Sequence, residues 1–212
     1  MNNHEYIDES RLNPPPKSYR VSLATKSGFL LLALFGVAGY FYILTKKRSA
    51  EEAFLVEQHI DAKEPSLNRL PEMNILDVVS KTQTPLSSLQ GSWLLLNIWA
   101  TWCPSCQSEM PSLDLLQDKL RGSLAVVAVS IDEKLDEILQ YKSVHQPGFR
   151  LFWDQEKTLP QWFNLKKYPE TFLVAPDGRL IKQFSGPREW SSSAMVAYLL
   201  NAIRINPPSA PN

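Results

Sequence analysis

The sequence predicts an α/β protein: a central mixed sheet with helices on both faces, preceded by one N-terminal apolar segment that reads as a transmembrane helix. Three observations predict it. Two nearly continuous apolar runs, Trp93–Trp99 (WLLLNIW) and Leu124–Ile131 (LAVVAVSI), have the composition of strands covered on both faces. Stretches with helical spacing alternate with such runs, as they do where helices pack on a sheet. Near the C-terminus, Thr171–Ala175 and Leu180–Phe184 flank Pro176-Asp177-Gly178, a turn sequence that adds an antiparallel hairpin at the sheet edge.

Residues 1–27 are polar, contain Pro14-Pro15-Pro16, and read as a tail without a core. Residues 28–45 form the apolar segment. Gly28–Leu44 (GFLLLALFGVAGYFYIL) is 17 residues without a charge, bounded by Lys26 and by Lys46-Lys47-Arg48. As a helix it reaches about 26 Å, close to a hydrocarbon thickness of ~30 Å once flanking Lys and Arg snorkel. A basic cluster follows it where a small-residue cleavage site would stand, so it reads as an uncleaved signal anchor. Charge does not orient it: Arg11, Lys17, Arg20 and Lys26 on one side balance Lys46, Lys47, Arg48 and Lys63 on the other.

Residues 46–64 read as a stalk, and a compact domain runs over 65–204. Within it, Met73–Val79 and a short partner read as strands, Cys103 to Lys119 as a helix, Glu133–His145 as a helix and Phe149–Trp153 as a strand. Thr158–Leu165 reads as a short helix, and Trp190–Ile203 as a final amphipathic one. Residues 205–212 are a loose tail.

Composition excludes several classes. The 22 Lys+Arg balance 22 Asp+Glu, without the basic excess of a nucleic-acid binder. Two cysteines are too few for a four-cysteine zinc site or a disulfide-stapled miniprotein. The three histidines, His4, His59 and His145, are scattered.

The chemistry centres on Cys103-Pro104-Ser105-Cys106, directly after a buried strand and at the start of a helix. There the unpaired N–H groups and the macrodipole favour an anion, so a thiolate at Cys103 is stabilised below its ordinary pKa. Cys106, one turn on, is near enough to close a disulfide with it. Pro104 suits the first turn, where its missing N–H costs nothing. Half a zinc site would need two further ligands at matching spacing, and a structural staple of four residues would gain little.

Asn97-Ile98-Trp99-Ala100-Thr101-Trp102-Cys103-Pro104-Ser105-Cys106 resembles the active site of the thioredoxin superfamily, in particular its membrane-anchored TlpA, ResA and DsbE (CcmG) branch. Leu86-Ser87-Ser88-Leu89-Gln90-Gly91 is similar to that branch's lead-in, and Glu109-Met110-Pro111 to the sequence after its second cysteine. Tyr168-Pro169-Glu170-Thr171-Phe172-Leu173-Val174 resembles the cis-proline loop in its DsbE form. The resemblance implies that Cys103 attacks, that Cys106 resolves the mixed disulfide, and that Pro169 is cis with a carbonyl free to pair with substrate. Trp102, Pro104, Ser105 and Tyr168 would contact the client. Thioredoxin's buried Asp is here Asn97, which takes no proton. Glu170 is the candidate base for Cys106, while Glu109 reads equally as a solvated helix position. Tyr168 is larger than the residue usual in the family and would shape access.

These matches imply a thiol–disulfide oxidoreductase with no cofactor beyond its cysteine pair. It would sit in the inner membrane with its domain on the periplasmic side, kept reduced by a membrane thiol-transfer donor. Its client would be a disulfide-bearing protein such as apocytochrome c during cytochrome c maturation. The alternatives are a general TlpA-type reductase or isomerase and, in another class, a copper-binding assembly factor, for which the cysteine spacing is one residue short. A peroxiredoxin pattern is missing, since Ala100 stands three residues before Cys103.

Overall fold

A computed structural model describes residues 36–47 and 60–207. They fall into two units, divided after Ser49. In the first unit, helix α1 covers 36–47. Its Val37, Tyr40, Phe41, Tyr42, Ile43 and Leu44 are all exposed. The first half of the predicted anchor, 28–35, and most of the predicted stalk, 48–59, lie outside the described residues, as do 1–27 and 208–212. Among the described residues no helix is long and apolar enough to cross a membrane.

The second unit is built on one eight-stranded sheet. Its strands are β1 (Ala62–Lys63), β2 (Asn74–Asp77), β3 (Gln83–Pro85), β4 (Leu94–Trp99), β5 (Ala125–Ser130), β6 (Arg150–Trp153), β7 (Glu170–Val174) and β8 (Leu180–Ser185). The spatial order is β1-β8-β7-β4-β5-β6-β2-β3. β4, β5 and β6 run parallel, and every other pairing is antiparallel. The predicted mixed sheet is therefore present, with the two apolar runs at its centre. All six residues of β4 are buried, as a strand covered on both faces requires.

Helices α2 (Pro104–Lys119) and α3 (Leu135–His145) make the two parallel crossovers, and α5 (Ser193–Ile205) follows the hairpin. These three share one face. Trp99 meets Tyr141 of α3 edge-on at 4.7 Å, and Phe184 meets Tyr198 of α5 at 6.0 Å. The short α4 (Thr158–Trp162) covers the other face, where Phe163 stacks on Phe172 at 4.2 Å. Trp99, Trp190, Phe152, Phe172 and Phe184 are fully buried, each side chain contributing roughly 1.5–3 kcal/mol of apolar transfer.

Several boundaries differ from the sequence reading. The chain joins the sheet before residue 65: Ile60 is buried and Ala62 pairs with Phe184. Two residues are too short for an alternation to register. α4 stops at Trp162 rather than Leu165, because Asn164 takes a left-handed φ of 50° that a helix cannot continue through. α5 starts at Ser193, whose predecessor Ser192 caps the Met195 N–H at 3.2 Å, and runs through Ile205. Trp190, predicted to open that helix, belongs to the loop before it.

Candidate active site

The site is assembled where β4 ends. After Trp99 the chain turns sharply, and Asp132, just beyond the neighbouring β5, holds the turn. Asp132 is fully buried. Its carboxylate accepts the Thr101 backbone N–H at 3.1 and 3.0 Å and the Thr101 hydroxyl at 2.7 Å. Its carbonyl takes the Trp153 indole N–H at 2.8 Å. Gln107 Nε2 donates to the Thr101 carbonyl from the first turns of α2. Trp102 and Cys103 are thus anchored from both sides.

Cys103 is the N-cap of α2 rather than its first residue, and Pro104 occupies the first turn as predicted. Cys103 Sγ accepts the Cys106 backbone N–H at 3.2 Å, which satisfies one of the helix's unpaired donors and favours an anionic sulfur. The two cysteines form a disulfide with Cα atoms 5.2 Å apart. Cys106 is 0 % exposed and Cys103 6 %, so Cys103 is the one a client can reach.

The Tyr168–Pro169 bond is cis, and Pro169 is buried. Ser105 joins this loop to the cysteines: its hydroxyl lies 3.3 Å from Cys103 Sγ and 3.4 Å from the Tyr168 carbonyl, to which it donates. The Trp102 ring, 58 % exposed, meets Tyr168 edge-on at 6.1 Å. Pro104 is exposed. The structure therefore brings together Trp102, Pro104, Ser105, Tyr168 and Pro169 around the disulfide. The Pro169 carbonyl, however, is not free: it accepts the Gly186 N–H at 3.0 Å. The less committed backbone of the loop is that of Tyr168, whose N–H has no hydrogen bond among the described residues.

The carboxylates sort differently from the sequence reading. Glu109 is on no solvated helix face; it is 2 % exposed, three residues after Cys106 and on the same side of α2. Asn97 Nδ2 donates to its Oε1 at 2.7 Å; the Trp190 indole N–H and the Arg188 backbone N–H donate to its Oε2 at 2.8 and 3.1 Å. Burial pushes its pKa up to about 7, against the lowering pull of the Trp190, Asn97 and Arg188 hydrogen bonds. The remaining Asn97 Nδ2 proton goes to Thr171 Oγ1 at 2.9 Å.

Glu170 is buried as well, but its Oε1 accepts from Ser185 Oγ at 2.6 Å and Gln183 Nε2 at 3.0 Å, and its Oε2 has no partner among the described residues. Glu170 and Thr171 are adjacent on β7 and point to opposite faces. Thr171 faces α2, so Glu170 faces away from it.

Glu109 and Trp190 are the residues that sequence reasoning undervalued. The one signal available was the spacing of Glu109 three residues after Cys106. Trp162, at the end of α4, is 50 % exposed. Among the described residues no group of three or more His, Cys, Asp or Glu is placed to hold a metal ion.

A strand–turn–helix that presents a disulfide at a helix N-terminus against a cis-proline loop defines a thioredoxin-like thiol–disulfide oxidoreductase. The match of the AhpC/TSA family model to residues 68–183, more than half of the chain, shows that the chain belongs to that family. It is 28 % identical over 155 residues to the thioredoxin-like protein YneN of Bacillus subtilis, covering 72 % of this chain and 84 % of that one. It is 26 % identical over 173 residues to the thiol:disulfide interchange protein DsbE of Yersinia pestis, covering 80 % and 89 %. Among solved structures, a Chlorobium tepidum protein assigned as a DsbE superposes with a TM-score of 0.58 at 25 % identity, covering 64 % of this chain and 95 % of its own.

Proposed function

We propose that this oxidoreductase is anchored by its N-terminal apolar segment, works on the extracytoplasmic side, and reduces a client disulfide, with apocytochrome c before haem attachment as that client. The observation that carries the reading is the Cys103–Cys106 disulfide joined through Ser105 to the cis Tyr168–Pro169 loop, with the exposed Trp102 beside it. The reduced Cys103 thiolate attacks the client disulfide, forming a mixed disulfide and releasing one client thiolate. Cys106 then loses its proton and attacks Cys103 Sγ, closing the intramolecular disulfide and releasing the second client thiolate. Glu109, on the Cys106 side of α2 and poised near neutrality, is the better placed acceptor for that proton. Glu170, on the opposite face of the sheet, is the weaker candidate. A membrane dithiol donor restores the reduced pair.

The all-round exposure of apolar side chains on α1 supports the anchor, and the DsbE-like Pro169-Glu170-Thr171 stretch supports the client. Thiol trapping in redox buffers tests the direction of transfer. A reduction potential near thioredoxin's, about −270 mV, supports a reductant; one toward DsbA's, about −120 mV, overturns it. Exchange with an oxidised peptide carrying the c-type haem-attachment sequence Cys-x-x-Cys-His tests the client. Reaction no faster than with oxidised glutathione removes apocytochrome c from the proposal.

A further inference from the structure

Ser105 is shared between the two halves of the site. Its hydroxyl is within 3.3 Å of Cys103 Sγ and 3.4 Å of the Tyr168 carbonyl, yet it has a single proton to donate. The strength of the two acceptors depends on the redox state. In the disulfide, the Cys103 sulfur is a neutral and weak acceptor, and the proton goes to the carbonyl. Reduction by a dithiol breaks the S–S bond. The donor supplies two electrons and two protons and closes its own disulfide. One proton stays on Cys106 as a thiol, the other leaves to solvent, and Cys103 remains a thiolate. A hydrogen bond to an ionised sulfur is roughly twice as strong as one to a neutral acceptor.

We propose that Ser105 is a redox-governed switch on client binding: the Cys103 thiolate draws the Ser105 hydroxyl off the Tyr168 carbonyl and so opens that carbonyl to a backbone N–H of an extended client. The switch acts at the Tyr168 carbonyl, whose donor is the Ser105 hydroxyl, because the Pro169 carbonyl is already held by the Gly186 N–H. A disulfide form keeps the docking carbonyl engaged, and a form ready to attack releases it. The nucleophile gains a second donor beside the Cys106 N–H. This inference rests on the reading of Cys103 as the attacking thiolate.

The sequence contains one Tyr-Pro pair, Tyr168-Pro169, so 13C-carbonyl Tyr with 15N Pro isolates a single carbonyl resonance in the full chain. In the wild type that resonance moves when the disulfide is reduced with dithiothreitol. In Ser105→Ala the oxidised form already resonates near the reduced wild-type position and reduction moves it little. Ser105→Thr, which keeps the hydroxyl, restores the wild-type change. In parallel, the midpoint of Cys103 alkylation against pH rises by about one pH unit in Ser105→Ala, a roughly tenfold loss of thiolate at pH below the midpoint, and returns in Ser105→Thr. A purely structural role would not move that pH profile. If Ser105→Ala keeps the wild-type carbonyl change or the wild-type midpoint while the cysteine pair still cycles, the switch is wrong and the redox function stands. A pair that does not cycle at all in glutathione buffers overturns both.

Discussion

Replacing Glu109 with Gln removes a buried carboxyl while keeping its shape. The side chain lies three residues after Cys106 on α2, with Asn97, Trp190 and Arg188 around it. Gln keeps an acceptor for the Trp190 and Arg188 N–H groups. Its amide nitrogen faces Asn97, whose Oδ1 is buried without a donor among the described residues, so a turn of the Asn97 amide meets it. The substitution is therefore tolerated, and its effect is electrostatic. Burial raises the Glu109 pKa from 4.5 to about 7. At about 1.4 kcal/mol per pH unit, ionising it costs the folded protein roughly 3 kcal/mol more than the unfolded chain. The folded state holds this proton more tightly. The stabilisation is fully present below pH 4.5 and is lost as the pH rises through about 7. Glu109→Gln does not undergo that loss. Urea unfolding of the oxidised full chain, wild type against variant, between pH 4 and pH 8 reads the difference. The variant gains roughly 3 kcal/mol on the wild type across that range. Stability curves that run parallel would refute the assignment of a raised pKa to Glu109. In the same variant the resolving step loses its inflection near pH 7.

Four further outcomes are expected. Trp190→Phe keeps an aromatic ring at this fully buried position but loses part of the indole and the N–H that Glu109 accepts at 2.8 Å, so the hydrogen bond's share of the stability loss, about 1.5–3 kcal/mol at pH 8, is smaller at pH 5, measured by urea unfolding. Asp132→Asn weakens the hold on Thr101 and costs about 1.5–3 kcal/mol, with slower alkylation of Cys103 as the turn loosens. Trp102→Ala, at a half-exposed ring, changes stability by less than about 1.5 kcal/mol yet raises the KM for a protein client. Cys106→Ser leaves Cys103 able to attack and nothing to resolve, so the client accumulates as a mixed disulfide on non-reducing gels.

Much of the fold was legible because its signals are local. Leu94–Trp99 is apolar at nearly every position, and only a central strand buries such a run on both faces. Pro176-Asp177-Gly178 marked its hairpin, and Gly178 does take the left-handed φ of 81° the turn needs. The cysteine pair was legible for the same reason, since strand, N-cap and first turn are contiguous. β1 was not, because two residues carry no period, and its place is set by β8 more than a hundred residues later. The end of α4 was hidden in an Asn whose left-handed conformation no pattern announces.

By itself the sequence determined the element order, the central strands and the position of the cysteine pair, since each follows from side-chain periodicity or capping within a few residues. Only the tertiary structure decided which carboxylate of the active-site helix is buried with a raised pKa. Asn97, Arg188 and Trp190 lie 12, 79 and 81 residues from Glu109, and a carboxyl's burial and donors, which together set its affinity for a proton, depend on those distant contacts rather than on its neighbours in the chain.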